Sequence, residues 1–72
     1  MARKPLQQFF ELVILSVLDE LPKNIEDIRR TVSEKIGRQV SWNTTAKYLL
    51  TLRDTARIEE VHTGKMVLYK IK

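Results

Sequence analysis

Two helix-boundary signals lie only four residues apart in the middle of this chain. Gly37 is the residue type that most readily takes the left-handed conformation beyond the last turn of a helix. Ser41 is a preferred cap for the first turn of the next helix. One helix therefore ends and another begins within the segment Gly37-Arg38-Gln39-Val40. So short a connection predicts a helix-turn-helix unit in which Val40 is buried between the two helices.

The segments on either side of this turn have the charge and apolar pattern of packed helices. Asn24 is a predicted N-cap, and Glu26 and Asp27 put negative charge into the first turn after it. The apolar stripe of this second helix is Ile25, Ile28, Val32 and Ile36. A third helix is predicted over residues 41 to 55, and its inward face is Thr45, Tyr48, Leu49 and Leu52.

A first helix is predicted from Leu6 to Leu21, with Pro22 ending it. Its inward face is Leu6, Phe10, Val13, Ile14, Val17 and Leu21. Leu12 and Leu15 fall on the opposite side, where a monomer usually has polar residues. We interpret these two leucines as a homodimer interface, and a cover formed by the N-terminal tail or by the C-terminal segment is the alternative.

The size of the chain also favours association with a second copy. A domain of 72 residues buries only about 60% of the surface that its unfolded chain exposes. The chain has no cysteine and a single histidine, so neither a disulfide nor a structural metal adds stability. A homodimer is the remaining way to bury more apolar surface.

The last fifteen residues change from a helical to a strand pattern. Residues 58 to 61 and 66 to 71 are rich in β-branched and aromatic side chains. The segment His62-Thr63-Gly64-Lys65 between them contains the glycine that a tight turn requires. The chain therefore ends in a β-hairpin, with a loop of either two or three residues.

The charge of the chain favours a polyanionic partner. Thirteen Lys and Arg against nine Asp and Glu give a net charge of +4, which is typical of many nucleic-acid-binding domains. The outward residues of the third helix are hydrogen-bonding, aromatic or cationic: Trp42, Asn43, Thr44, Lys47 and Thr51. No carboxylate occurs in this helix before Asp54. A surface that contacts phosphates and bases needs this absence of negative charge.

Other classes of protein are disfavoured. The most apolar stretch, residues 9 to 21, contains three carboxylates and is shorter than the roughly 20 apolar residues that a membrane span requires. No signal peptide is indicated, so we expect one cytoplasmic domain over residues 1 to 72. The chain has only two glycines, too few for a phosphate-binding loop, and its single histidine lies in the hairpin. No nucleophile elbow is indicated. We expect no enzyme activity, cofactor, metal or small-molecule ligand.

The order helix, helix, turn, helix and hairpin resembles the winged helix-turn-helix transcription regulators of bacteria, archaea and their viruses. The similarity covers nearly the whole chain and is closest over Ser41-Trp42-Asn43-Thr44-Thr45, Tyr48-Leu49, Leu52 and Ile58-Glu59-Glu60-Val61. Ala56-Arg57 departs from the family, in which glycine and leucine are usual. The resemblance implies an α+β fold of three helices followed by a C-terminal hairpin wing.

The resemblance also implies how such a domain contacts double-stranded DNA. The third helix enters the major groove, the second crosses the backbone, and the wing reaches the flanking backbone or minor groove. Asn43, Thr44 and Lys47 are then assigned to the groove. The remaining assignments are Trp42 and Thr51 at its edges, Arg38, Gln39 and Ser41 on phosphates, and His62 and Lys65 on the wing.

Three functional hypotheses remain open on the sequence alone. The first is a homodimeric, sequence-specific transcription regulator, and the second is an architectural binder that contacts phosphates only. The third is a winged-helix module that binds another protein, since the same fold serves several functions. Arg29 and Arg30 contact phosphate in the first two cases or pair with Glu26 and Glu34 at helical spacing.

Overall fold

Three helices and a three-stranded antiparallel sheet form the computed structural model, which describes residues 5–72. The helices are α1 (Pro5–Val17), α2 (Ile25–Ile36) and α3 (Trp42–Asp54). The strands are β1 (Lys23–Asn24), β2 (Ile58–Thr63) and β3 (Met66–Ile71), in the spatial order β1-β3-β2. The predicted α+β winged helix-turn-helix layout is confirmed, with the β2-β3 hairpin as the wing.

The predicted boundaries of α2 and α3 are confirmed by their caps. The Asn24 side chain accepts a hydrogen bond of 2.8 Å from the Asp27 N–H, and the Ser41 hydroxyl accepts one of 3.1 Å from the Thr44 N–H. Gly37 follows α2 with a φ of 84°, the left-handed value expected after the last turn. Each helix end thus satisfies backbone groups that would otherwise lack a partner.

One core holds the three helices and the sheet together. Phe10 of α1 stacks on Tyr48 of α3, with ring centroids 5.2 Å apart and planes inclined by 15°. The inward residues predicted for α3 are all buried, and so is Val40. The buried apolar cluster is Phe10, Ile14, Leu18, Ile28, Val32, Val40, Tyr48, Leu49, Leu52, Ile58 and Tyr69. The outer side of α3 consequently takes no part in the core.

The predicted C-terminal end of α1 is wrong by four residues, because the helix stops at Val17. The Asp19 carboxylate accepts a hydrogen bond of 2.8 Å from the Leu21 N–H, and such a local bond competes with the helix. The Asp19 carbonyl accepts another of 2.9 Å from the Ile71 N–H of β3. Just beyond the end of the helix Leu18 is buried, whereas Leu21, predicted to face inward, is exposed. Leu6 in the first turn of α1 was also predicted to face inward and is exposed.

Strand β1 was not predicted from the sequence. Its two residues, Lys23 and Asn24, pair with Tyr69 and Leu68 of β3. Two polar residues carry no alternating pattern, so only the nearby β3 makes this segment a strand. The pairing places the start of α2 beside the wing.

The register of the hairpin corresponds to the two-residue loop, Gly64-Lys65. Thr63 pairs with Met66, and His62, which the sequence left in the loop region, belongs to β2. Gly64 has a φ of 56° at the first loop position, as two-residue turns with a leading glycine require. This register places Ile58 opposite Ile71 and Val61 opposite Leu68. It also places Glu59 opposite Lys70, whose charged groups are 3.2 Å apart.

Ala56 takes the left-handed conformation at the end of α3, with a φ of 60°. Its N–H donates to the Arg53 carbonyl, and the Arg57 N–H donates to the Leu52 carbonyl, both at 3.0 Å. This pair of bonds is a Schellman motif, in which glycine is the usual residue at the left-handed position. Ala56 thus occupies the left-handed position of the motif, where glycine is the usual residue.

Replacing Ala56 with glycine should stabilise the protein. The left-handed conformation costs a non-glycine residue about 1–2 kcal/mol, and the greater freedom of glycine in the unfolded chain offsets about 0.4–1 kcal/mol of that gain. We expect Ala56→Gly to raise the free energy of unfolding in urea by about 0.5–1 kcal/mol. Ala46→Gly within α3 is the control and should lower it by about 1 kcal/mol. An equal loss of the free energy of unfolding in both variants would contradict the strain that we assign to Ala56.

Candidate nucleic-acid interface

The helix-turn-helix turn is held by two side chains of α2 that bind the backbone of Val40. Arg29 Nη1 donates a hydrogen bond of 3.1 Å to the Val40 carbonyl, and the Val40 N–H donates one of 2.9 Å to Ser33 Oγ. The Ser33 carbonyl also accepts from the Gly37 and Arg38 N–H groups. Both backbone groups of Val40 are thereby satisfied, so its side chain can be buried at the start of α3.

Asn43, Lys47 and Leu50 form the outer face of α3, here called the reading face. At 100° per residue these three side chains fall within about 60° of one another on the helix. All three are exposed, and the exposed fraction of Leu50 is 42%. Leu50 was not predicted here because a leucine is expected in a core. Its seven-residue spacing from Asn43 is the signal that would have identified it.

Most hydroxyl groups near the reading face are already hydrogen-bonded within α3. Ser41 Oγ donates a 2.8 Å hydrogen bond to Thr44 Oγ1 while capping the helix. Thr51 Oγ1 donates a 3.1 Å bond to the Lys47 carbonyl. Within residues 5–72, the Asn43 amide and the Lys47 ammonium group form no hydrogen bond; Lys47 Nζ lies 5.8 Å from the centre of the Tyr48 ring. These two polar groups are available to a partner.

Ion pairs neutralise most carboxylates outside the reading face. Arg29 Nη2 lies 2.6 Å from Glu26, and Arg30 Nη2 lies 2.6 Å from Asp27. Arg30 therefore pairs with Asp27, one turn before it in α2, and not with Glu34, one turn after it. The hydrogen bond from Arg29 lowers the pKa of the Glu26 carboxyl below its ordinary value.

Several cations have no carboxylate partner. In the part of the chain that the structure describes, the cations without an ion pair are Lys35, Arg38, Lys47, Arg57, Lys65 and Lys72. Three of them lie on the helix-turn-helix unit: Lys35 near the end of α2, Arg38 in the turn and Lys47 on α3. Gln39, also assigned to phosphate, is exposed beside Arg38.

The wing carries both of its predicted contact residues. Lys65 lies in the two-residue turn, and His62 is on β2, where its Nε2 is 3.4 Å from Glu60. Glu60 also pairs with Arg53 of α3 at 3.0 Å, which joins the base of the wing to the C-terminal end of α3. Burial raises the pKa of the neighbouring Tyr69 hydroxyl, and the Glu60 carboxylate raises it further.

Trp42 and Asp54 mark the two ends of α3. The Trp42 side chain is 51% exposed at the first helical position, beside the turn that carries Arg38. Asp54 closes the other end, where Arg53 Nη2 pairs with its carboxylate at 3.0 Å. The reading face between them has no carboxylate. Such a surface is suited to a polyanion.

The exposed apolar strip on α1 differs from the predicted one. Leu12 is 63% exposed, as expected, but Leu15 is half-buried and packs against the core. At 100° per residue, Leu15 lies about 100° from the buried Ile14, whereas Leu12 lies about 160° away. Phe9, 49% exposed, takes the place of Leu15 beside Leu12. The alternative cover by the N-terminal tail concerns residues 1–4, which lie outside the described residues.

A groove of about 220 Å³ adjoins this strip and is lined by Gln8, Glu11, Leu12 and Arg57. Glu11 is buried and accepts a 3.0 Å hydrogen bond from the Gln7 side chain. Residues 5–72 contain no group of three or more acidic, histidine or cysteine side chains that could hold a metal ion. None of the described helices is long and apolar enough to cross a membrane.

The chain shows no match to any protein-family model and no significant similarity to a curated protein. The assignment of the interface therefore depends on the geometry and charge of its own residues.

Ser33 offers a direct test of how the turn is held. Ser33→Ala removes the acceptor of the Val40 N–H, and a buried donor without a partner costs about 1–3 kcal/mol. We expect the free energy of unfolding in urea to fall by that amount. Ser16→Ala, which removes an exposed hydroxyl from α1, is the matched control and should change it by less than about 0.5 kcal/mol. Similar small effects in both variants would contradict the role of Ser33.

Proposed function

We propose that this protein is a sequence-specific transcription regulator of the winged helix-turn-helix type that binds double-stranded DNA. The observation that carries the proposal is the reading face of α3, which follows a helix-turn-helix turn. It displays the Asn43 amide and the Lys47 ammonium group, neither of which hydrogen-bonds another described residue, and it carries no carboxylate before Asp54. An amide and a cation on one exposed line are the groups that read base edges in the major groove.

In this mode of binding, α3 lies in the major groove, which is wide enough to admit an α-helix. Asn43 and Lys47 contact base edges, and the Thr44 hydroxyl donates a hydrogen bond to the DNA. Arg38 and Gln39 contact phosphates just before α3. The supporting contacts come from Ser41, which orients Thr44, from Trp42 and Thr51 at the groove edges, and from His62 and Lys65 on the flanking backbone.

Helix α2 has a supporting role in this proposal. Its two arginines already pair with carboxylates of the same helix, and Arg29 also binds the Val40 carbonyl. We therefore assign Arg29 to holding α3 in position and not to phosphate. Binding requires no catalysis, cofactor, metal or small-molecule ligand. A regulator of bacterial, archaeal or viral genes works in the cytoplasm, where the DNA is.

A homodimer is the second part of the proposal. The exposed side of α1 between Leu6 and Ser16 has no charged side chain among the described exposed residues, and depletion of charge is typical of interface cores. Phe9 and Leu12 lie at its centre, opposite the face of α1 that packs on α3. A second copy paired through this side leaves both reading faces free for half-sites about one helical turn apart.

Loss of the two polar groups of the reading face should weaken sequence preference. Each good contact to a base edge contributes about 1–3 kcal/mol of discrimination. We expect Asn43→Ala with Lys47→Ala to weaken binding to a duplex selected from a random pool at least tenfold, while binding to unrelated DNA changes little. Lys35→Ala removes the same charge from α2, where Lys35 Nζ is 3.4 Å from Ser16 Oγ of α1. This control should retain the preference.

Gel shifts with unrelated competitor DNA, repeated over a salt series, distinguish the three functions. A specific regulator prefers its selected duplex by about 10³-fold or more, and its affinity falls as salt rises. Equal competition by unrelated duplex identifies an architectural binder. No binding to any duplex at low salt refutes DNA binding and leaves the protein-binding module.

The interface on α1 is tested by adding charge to it. Phe9→Glu with Leu12→Glu places carboxylates in the proposed contact, and an unpaired buried charge is strongly destabilising there. We expect this variant to sediment as a monomer at concentrations where the unaltered protein is a dimer. Leu21→Glu, an exposed leucine outside α1, should leave the dimer intact. A dimer that survives both changes has its interface elsewhere.

A further inference from the structure

Leu50 is an exposed leucine on the same line of α3 as Asn43 and Lys47. The helix is anchored in the core by other residues, namely Thr45, Tyr48, Leu49 and Leu52. Leu50 is therefore not required for packing. It lies two turns after Asn43, on the part of the surface that faces DNA in the proposed mode of binding.

The reading face has a polar and an apolar half. The first two turns of α3 present the Asn43 amide and the Lys47 ammonium group. In the third turn the Thr51 hydroxyl donates to the Lys47 carbonyl, so Thr51 has already used its proton within the helix. Leu50 beside it has no hydrogen-bonding group at all. The half of the face that carries Leu50 is thus suited to an apolar contact.

We propose that Leu50 reads the C5-methyl group of a thymine. That methyl is the one apolar group that the base pairs present in the major groove, and apolar side chains recognise it. Leu50 follows Asn43 by seven residues, or about 10 Å along the helix, and stacked base pairs are about 3.4 Å apart. The thymine is therefore about three base pairs from the base that Asn43 contacts. The inference rests on the proposed function and adds a base identity to it.

This geometry requires the axis of α3 to follow the groove over its first three turns. Contact by the helix N-terminus alone would bring Asn43 to the bases but leave Leu50 outside. A protein partner for Leu50 is disfavoured, because Lys47 lies on the same line and lysine is depleted at the cores of protein interfaces. Thymine recognition accommodates both residues, since Lys47 can contact a guanine or a phosphate next to the methyl group.

The experiment removes the methyl group from the DNA. A duplex is first selected by the full chain from a random pool, and each thymine of the selected site is then replaced in turn by deoxyuridine, which lacks only that methyl. We expect one replacement to weaken binding of the unaltered protein about fourfold, the effect of burying one methyl group. The same replacement should have no effect on Leu50→Ala. Leu21→Ala, at an exposed leucine outside α3, should keep the fourfold loss.

The outcomes separate this inference from the proposed function. Enrichment of a sequence whose thymines all tolerate deoxyuridine overturns the role of Leu50 and leaves sequence-specific binding in place. A fourfold loss that persists in Leu50→Ala assigns the thymine to another residue and overturns it as well. Failure to enrich any sequence overturns both. Circular dichroism of Leu50→Ala checks that α3 is intact. The deoxyuridine effect is also measured on the unaltered protein, in which no substitution can disturb the fold.

Discussion

The position of α3 depends on the two hydrogen bonds that α2 makes to the backbone of Val40. Arg29 and Ser33 are four residues apart on one face of α2, and they bind the carbonyl and the N–H of Val40 respectively. A valine whose backbone groups are both satisfied can be buried without leaving polar groups unpaired. Ser41 then caps α3 one residue later. This attachment and the buried residues of α3 together set the orientation of the side chains on the reading face.

Charges on α2 are mostly paired with one another, whereas several cations elsewhere have no carboxylate partner. On α2, each acidic residue of the first turn pairs with an arginine three residues later, so this helix presents little net charge. Exposed pairs of this kind contribute about 0–1 kcal/mol each to stability. Their larger effect is to leave Lys35, Arg38 and Lys47 as the described cations without an ion pair on the helix-turn-helix unit.

Exposed apolar side chains occur on several surfaces, among them the wing with Met66 and Val67, and two of these surfaces concern binding. One is the side of α1 that carries Phe9 and Leu12, and the other is the reading face, which carries Leu50. The two surfaces differ in the charge on the helix itself: the described exposed residues of α1 between Leu6 and Ser16 include no charged side chain, whereas Leu50 shares its line with Lys47. This difference is why we assign a second copy of the chain to the first surface and DNA to the second.

The sequence by itself determined the helix caps, the turn between α2 and α3, the inward face of α3 and the presence of the wing. These features depend on residues within a few positions of one another, such as Asn24 with Asp27 and Ser41 with Thr44. Helical spacing also predicted Asn43 and Lys47 as outward residues. Leu50 obeys the same spacing, but its residue type, which is common in cores, does not indicate an outward position.

Only the tertiary structure decided the end of α1, the strand β1, the register of the wing and the partners of Arg29. Each of these depends on a contact between segments far apart in sequence, as when the Ile71 N–H binds the Asp19 carbonyl. Such contacts leave no periodic pattern in either segment. The burial of Leu15 was decided in the same way, because a residue at the edge of a helical face is covered or exposed by whatever packs beside it.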